Sequence, residues 1–376
     1  LALAKVPDLG GGRVRTLAWC SRPRSGAALP EGAPVRILVC HPQVPFARGG
    51  AEILAETLVD ELRRRGHETE LVTVPFKWYP GTRVLTQALA WRLLDLEEVQ
   101  GMPVDLVIAT KFPSYAIRHP NKVVWLVHQF RQAYELDGTP LGQFGPEPSE
   151  RATRRAIHRL DRTTLGEAQR LFAISRNVAD RLRRSTELEA EVLPPPPQEL
   201  AYRCEDYGDF VLSVGRLDRA KRVDLLVEAA ASSPALDVVV VGEGPDRGRL
   251  EELTRSLRLD GRVRFAGRVD DDELAGLYAR CLAVFYAPVD EDFGFVPYEA
   301  FLSEKPVVTT RDAGGPLEVV TDKKTGVVCE PSPAAVAEAC AWLAAHPDAA
   351  RERGRAGKEL AARLSWETTI ERLVGV

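Results

Sequence analysis

"FVLSVGRLDRAKRVDLLVEAAASSPALDVVVVGEG", Phe210 to Gly244, holds a whole strand–helix–strand unit. Phe210–Val214 is a short apolar run with β-branched residues, the mark of a strand buried on both faces. Gly215 ends it, "RVDLLVEAAAS" has helical spacing, and "LDVVVVGEG" is a second buried strand. Two such strands joined by a helix form a parallel sheet with helices on both faces. The alternation continues downstream through "DRGRLEELTRSLR", "VRFAGRV", "DDELAGLYARC", "AVFYAPV", "KPVVTT" and "TGVVCE". Upstream the same rhythm runs through "VRILVCH", "AEILAETLVDELRRRGH", "ETELVTVPF", "VDLVIAT", "KVVWLVH" and "RLFAIS", with Leu54, Leu58 and Leu62 one helical turn apart and Gly66 as a C-cap.

Four consecutive prolines, Pro194 to Pro197, interrupt the rhythm. They can enter neither a helix nor a central strand, and they stiffen the chain into an extended spacer. The expected organisation is an extension over residues 1–33, probable disorder being its composition's implication, a first domain over 34–193 and a linker over 194–207. A second domain follows over 208–360, and a C-terminal helix over 361–376. The expected fold class is α/β, with two doubly wound, Rossmann-like parallel-sheet domains facing each other across a cleft. Ligands of such sheets sit beyond the carboxyl ends of the strands, so the informative residues belong in the loops found there.

The composition excludes several classes. With 376 residues and 45% hydrophobic content, wholesale disorder is ruled out and two domains are expected. No apolar run approaches the ~20 residues that span a bilayer, and the basic start lacks a signal-peptide core. The chain does not begin with Met, and its single Met is Met102. The six cysteines, Cys20, Cys40, Cys204, Cys281, Cys329 and Cys340, show no metal-ligand spacing, which points to free thiols in a reducing, cytoplasmic setting. Arg outnumbers Lys, as in GC-rich bacterial genomes. Residues 1–198 carry 27 Lys and Arg against 22 Asp and Glu, the remainder 23 against 32. Much of the positive excess lies between Arg151 and Arg184. It reads as a solvated helical face, or as a surface for an anionic acceptor or the anionic inner face of a cell membrane. No aromatic residues are interleaved with these arginines in the manner of a stacking platform, which argues against nucleic acid.

The chemistry-bearing loops come next. In "SVGRLDRAKR", Gly215 closes a strand and Arg216 and Lys221 follow it. Two cations beyond a strand end can clamp a diphosphate without metal. "VVVVGEGPDRGRL" carries Gly242 and Gly244 but lacks the spacing of a dinucleotide fingerprint; these glycines are expected to let backbone approach a base or phosphate. "VDEDFGFVPYEAFL" places Glu291 and Glu299 around Phe293, Gly294 and Phe295, with Pro297 in the first turn of a helix. Glu299 could accept two ribose hydroxyls, Glu291 those of a group beyond the phosphates, and the intervening N–H groups would face the cleft. The bland alternative is acids favourably placed near a helix start. In the first domain Gly49 and Gly50 precede a helix, and His128 ends a buried strand where its ring could reach a sugar.

Taken together, the E-x7-E spacing with its Phe-Gly-Phe turn, the "RLDRAK" clamp, "GGPLEVV…TGVVCEP" and the early "GGAE" resemble a family 4 glycosyltransferase of GT-B fold. The resemblance runs from about Val35 to the C-terminus and is most specific over Val211–Pro331. It implies that the second domain binds a nucleotide-sugar, UDP favoured over GDP, and that the first binds the acceptor: a glycan, a lipid-linked glycan or a small metabolite. It implies a retaining, metal-independent hexosyl transfer with no cofactor. Arg216 and Lys221 would stabilise the leaving diphosphate, Glu299 would hold the ribose, Glu291 the donor sugar, and His128 would contact that sugar from the other domain. The helix beginning near Trp366 would cross back onto the first domain. Two positions depart from the family pattern: Asp292 replaces a glycine after Glu291, and Arg222 replaces the glycine after the clamp lysine. A nucleotide-sugar epimerase and a non-catalytic nucleotide-sugar- or glycan-binding regulatory subunit share this architecture and stay open on the residues alone.

Overall fold

The structure, a computed structural model, describes residues 34–139, 142–234 and 236–375. The expected extension over residues 1–33, with Cys20, lies outside them.

The apolar runs of the first half form strands β1 (Arg36–Gln43), β2 (Glu68–Pro75), β3 (Leu106–Ala109), β4 (Lys122–Leu126), β5 (Arg170–Ala173) and β6 (Glu191–Val192). They make one parallel sheet in the order β2-β1-β3-β4-β5-β6. The central strands β3 and β4 are buried along their whole length, as expected for strands covered on both faces. The second sheet holds β7 (Phe210–Val214), β8 (Asp237–Val241), β9 (Val263–Gly267), β10 (Ala283–Phe285), β11 (Val307–Thr310) and β12 (Gly326–Cys329). Its order is β9-β8-β7-β10-β11-β12, again all parallel.

Helices α1 (Gly50–Arg64), α2 (Val84–Leu93), α3 (Pro148–Leu165) and α4 (Arg176–Thr186) accompany the first sheet. With the second go α5 (Val223–Ser232), α6 (Arg247–Ser256), α7 (Asp271–Arg280), α8 (Val296–Leu302), α9 (Pro333–Ala345) and α10 (Pro347–Ala361). Strand order reverses between β1 and β3 in one sheet and between β7 and β10 in the other. Those are the two places where a doubly wound sheet opens a crevice. The loops leaving β1, β7 and β10 carry Gly49 and Gly50, Arg216 and Lys221, and Glu291 to Phe295.

The prolines do not act as a free spacer. Pro195, Pro196 and Pro197 are buried, and the carbonyl of Leu193 just before them accepts a bond from the Trp125 indole at 2.8 Å. Helix α11 (Trp366–Val374) leaves the second domain and docks on the first. Trp366 packs edge-on against Trp125 at 6.1 Å, and the Arg170 guanidinium caps the helix by donating to the carbonyls of Arg372, Leu373 and Val374 at 3.0 Å each. The last carbonyls of a helix need such donors. One consequence is that the segment from Arg151 to Arg184 is not a uniformly solvated basic face. Arg170 is tied to α11 and Arg181 is buried, whereas Arg151, Arg155, Arg159 and Arg162 line an exposed stripe of α3.

Candidate active site

The second domain supplies most of the site. Gly215 ends β7 at φ +146°, and the chain turns through Arg216 into a single 3₁₀ turn, Arg219–Lys221, capped by the Asp218 side chain. Lys221 forms an ion pair with Glu291, and the Tyr286 hydroxyl lies 3.2 Å from the same ammonium. Burial works against the charged amine, but the Glu291 carboxylate and the Tyr286 hydroxyl outweigh it and raise the Lys221 pKa, so the ammonium persists at every physiological pH. Arg216 stands apart, its side chain 61% exposed and its nearest carboxylate, Asp218, at 3.8 Å. The expected clamp therefore consists of one cation already paired with the sugar-side acid and one left in solvent. Arg222 adopts the left-handed region at φ +51°, which explains why a glycine suits that position. Its guanidinium is held by the carbonyls of Ala287 and Pro288, Thr310 and Asp312.

Gly294 has φ +87°, and a Cβ there would stand 2.8 Å from the Tyr286 ring. This bends the chain so that Phe293 stacks on Tyr298 at 4.9 Å while the Phe295 ring faces the first domain. Among the described residues no acceptor takes the N–H groups of Phe293, Gly294 or Phe295. Glu299, in the first turn of α8, accepts a bond from the Tyr278 hydroxyl at 2.6 Å. Burial raises its pKa, partly opposed by that bond. One carboxylate oxygen is thus fixed and the other is left for a ligand.

Gly242 and Gly244 pack against the Arg216 loop. A Cβ at Gly242 would lie 1.9 Å from the Gly215 carbonyl oxygen, and one at Gly244 2.1 Å from that of Leu217. The backbone that approaches them is the neighbouring loop, bonded through Leu217 N–H to the Glu243 carbonyl at 3.0 Å. These glycines shape the Arg216 loop.

Across the cleft, a Cβ on Gly50 would sit 3.5 Å from the Phe295 ring, so the two domains nearly touch at these residues. The Gly49 N–H is already taken by Glu52 Oε2 at 2.9 Å and cannot serve a phosphate. Glu52 also binds Lys111 at 2.7 Å and lies 3.5 Å from His41. Burial alone would raise the Glu52 pKa, but His41 and Lys111 reverse the sign and hold it well below the usual range. This buried set was not foreseen; the Glu of "GGAE" was its one sequence signal. His128 places Nδ1 2.6 Å from the Gln129 carbonyl. Burial lowers its pKa, the neighbouring Asp292 opposing, so the ring is neutral near pH 7. A neutral ring that donates Nδ1–H to a carbonyl keeps Nε2 as an acceptor, suited to a hydroxyl. Among the described residues, no three His, Cys, Asp or Glu side chains gather to hold a metal.

Loops at two facing switch points, an ammonium–carboxylate pair, free N–H groups and a half-satisfied glutamate can bind a polyhydroxylated anion. Comparison with known proteins narrows this. Residues 205–360 match the family described as "Glycosyl transferases group 1". That match covers the second domain, less than half of the chain. Such a GT4-like domain is what the Glu291/Glu299 and Arg216/Lys221 motifs pointed to. Over 180 residues the chain is 31% identical to the alpha-1,3/1,6-mannosyltransferase ALG2 of Mus musculus, covering 43% of each chain, so it spans less than half the length of that relative. Among solved structures, sucrose-phosphate synthase of Thermosynechococcus elongatus superposes with a TM-score of 0.72 at 21% identity, over 90% of this chain and 97% of that one. HepE of Anabaena in complex with UDP-glucose superposes with a TM-score of 0.66 at 18% identity, over 90% and 98%. These likenesses extend over both parallel-sheet domains, which together have the GT-B fold.

Proposed function

We propose that the protein is a retaining glycosyltransferase that moves a hexosyl group from a nucleotide-sugar, UDP-linked in the first instance, to a hydroxyl of a glycan, lipid-linked or small-molecule acceptor. The observation that carries the reading is the Lys221–Glu291 pair beside the open N–H groups of Phe293–Phe295, with Glu299 one helical turn beyond. Glu299 accepts ribose hydroxyls, while Lys221 and a swung-in Arg216 meet the diphosphate. Glu291 and the His128 Nε2 accept from the sugar. The glycosidic bond to the phosphate oxygen breaks as the acceptor oxygen bonds to the anomeric carbon. The departing phosphate takes the acceptor proton on the same face, and charge grows on the diphosphate where the two cations stand. No metal is needed for that charge. UDP is favoured because HepE, a structural neighbour, is described with UDP-glucose. The acceptor enters from the first domain, where the stripe of Arg151, Arg155, Arg159 and Arg162 suits an anionic acceptor or membrane surface.

The test is turnover of UDP- and GDP-hexoses in the presence of EDTA, with the anomer of the transferred or hydrolysed sugar read by NMR before mutarotation. An α-configured product from an α-configured donor, undiminished by EDTA, supports the reading. Inversion, or dependence on added divalent metal, contradicts it.

A further inference from the structure

The sugar end of the donor site is held by both domains. The carbonyls of three consecutive residues of the second domain each receive a side chain of the first. That of Asp290 accepts from Arg131 at 2.8 Å and Arg181 at 2.5 Å, that of Glu291 from Asn177 at 2.8 Å, and that of Asp292 from the Ser175 hydroxyl at 2.5 Å. The side chains agree with the backbone. Arg181 pairs with the Asp292 carboxylate and lies 2.7 Å from that of Asp290, and Arg131 lies 3.7 Å from Asp292. Glu135 adds a third carboxylate 3.3 Å from Arg181. In return, Glu318 of the second domain accepts the N–H groups of Arg176 and Asn177 at the start of α4, at 3.0 and 2.8 Å. Arg181 and Asp292 are only 8% and 9% exposed, so their charges meet in a nearly dry contact. Asp290 itself sits at φ +46°, a conformation a non-glycine residue keeps only where its surroundings hold it.

Among the described residues, the nucleotide end receives no such support from the first domain. Glu299 is bonded by Tyr278 of its own domain, and among the described residues Arg216 has one carboxylate nearby, Asp218 at 3.8 Å. The carboxylate of Asp292, one of the two residues that depart from the family pattern, is turned to the arginines of the facing domain.

We propose that Arg181 and Asn177 are positioning residues for Glu291: helix α4, seated on the Asp290–Asp292 loop, sets the carboxylate that grips the donor sugar, while the nucleotide is bound by the second domain alone. The proposal rests on the function given above. Closing the domains then completes the sugar site, and a donor bound with the domains apart lacks a placed Glu291. Of the two residues, Arg181 carries more, because it joins two carboxylates and a carbonyl of the facing loop, whereas Asn177 holds one carbonyl and the Asp290 carboxylate at 3.1 Å.

The experiment compares UDP with UDP-glucose and GDP with GDP-mannose by calorimetry, in the full chain. Variants are Arg181→Ala, Arg181→Lys, Asn177→Ala and Asp292→Asn; donor hydrolysis without acceptor is measured alongside. Expected is an unchanged Kd, within twofold, for the free diphosphate that wild type binds. Its sugar ester should weaken about tenfold in Arg181→Ala and less in Asn177→Ala, with partial recovery in Arg181→Lys and donor KM rising in parallel. If Arg181→Ala does not fold, Asn177→Ala and Asp292→Asn carry the test by the same split. Equal weakening of diphosphate and sugar ester, or no change in either, overturns the positioning role. Failure of wild type to bind any diphosphate overturns the donor-site reading itself, and the positioning proposal with it.

Discussion

Replacing Asp161 by Asn should make the protein's stability less dependent on pH. The Asp161 side chain is fully buried beneath the loop that carries His128 and Arg131. Its Oδ2 accepts from the Tyr134 hydroxyl at 2.8 Å and from Gln129 at 3.1 Å, while Oδ1 has no hydrogen-bond partner among the described residues. Burial, opposed by the Tyr134 bond, pushes the carboxyl from 3.8 to about 7. A raised folded-state pKa gives a contribution fully present below the unfolded value and lost as pH rises through the folded one. At pH 8 both states are ionised, and three pKa units cost the folded state about 4 kcal/mol. At pH 5 only the unfolded chain has lost its proton, and the cost is about 1.7 kcal/mol. In Asp161→Asn the amide oxygen takes the Oδ2 place and keeps both donors. Any penalty for its buried NH₂ is the same at every pH. The stability of the variant relative to wild type should thus rise by about 2.5 kcal/mol between pH 5 and pH 8, or ~1 M in urea midpoint at a slope of about 2 kcal/mol/M. Urea titrations followed by tryptophan fluorescence at both pH values measure it. A difference that stays flat across this window would refute the assignment of a high pKa to Asp161.

Two further outcomes follow from the site. Tyr278→Phe removes the hydroxyl that fixes Glu299 without emptying the core, so UDP binding by calorimetry should weaken by about 1.5–3 kcal/mol, the worth of a bond to a charged group. A change below twofold would show that Glu299 needs no orienting partner. Gly242→Ala drives a Cβ against the Gly215 carbonyl and should cost more than about 2 kcal/mol, while Gly248→Ala, in open space on α6, should gain about 0.5–1 kcal/mol from helix propensity. Thermal melts read both, and equal effects would contradict the packing of Gly242 against the Gly215 carbonyl.

Much of this molecule is legible along the chain. The strands are short apolar runs because both sheet faces are covered. Lys221, Glu291 and Glu299 lie on loops and first turns whose Gly215, Gly294 and Pro297 announce them. What escaped the sequence are partnerships between residues far apart. Arg181 belongs to a stretch whose composition suggests a solvated face, yet it meets Asp292, more than a hundred residues away, in a buried pair. The close contact of Gly242 and Gly244 with the Gly215 and Leu217 carbonyls escaped as well, because local spacing does not say which backbone comes near. Lys111 carries no local signal because its role depends on Glu52, which lies on a different crossover.

The central claim is that the second domain holds a nucleoside diphosphate through Glu299. The direct measurement is calorimetric titration of UDP, GDP and ADP into wild type and Glu299→Ala without added metal. The account predicts that wild type binds one of the three and that the variant binds it at least tenfold more weakly, with the melting temperature of the free protein little changed. No binding by wild type, or binding that the variant leaves intact, would contradict it and return Glu299 to a structural partner of Tyr278.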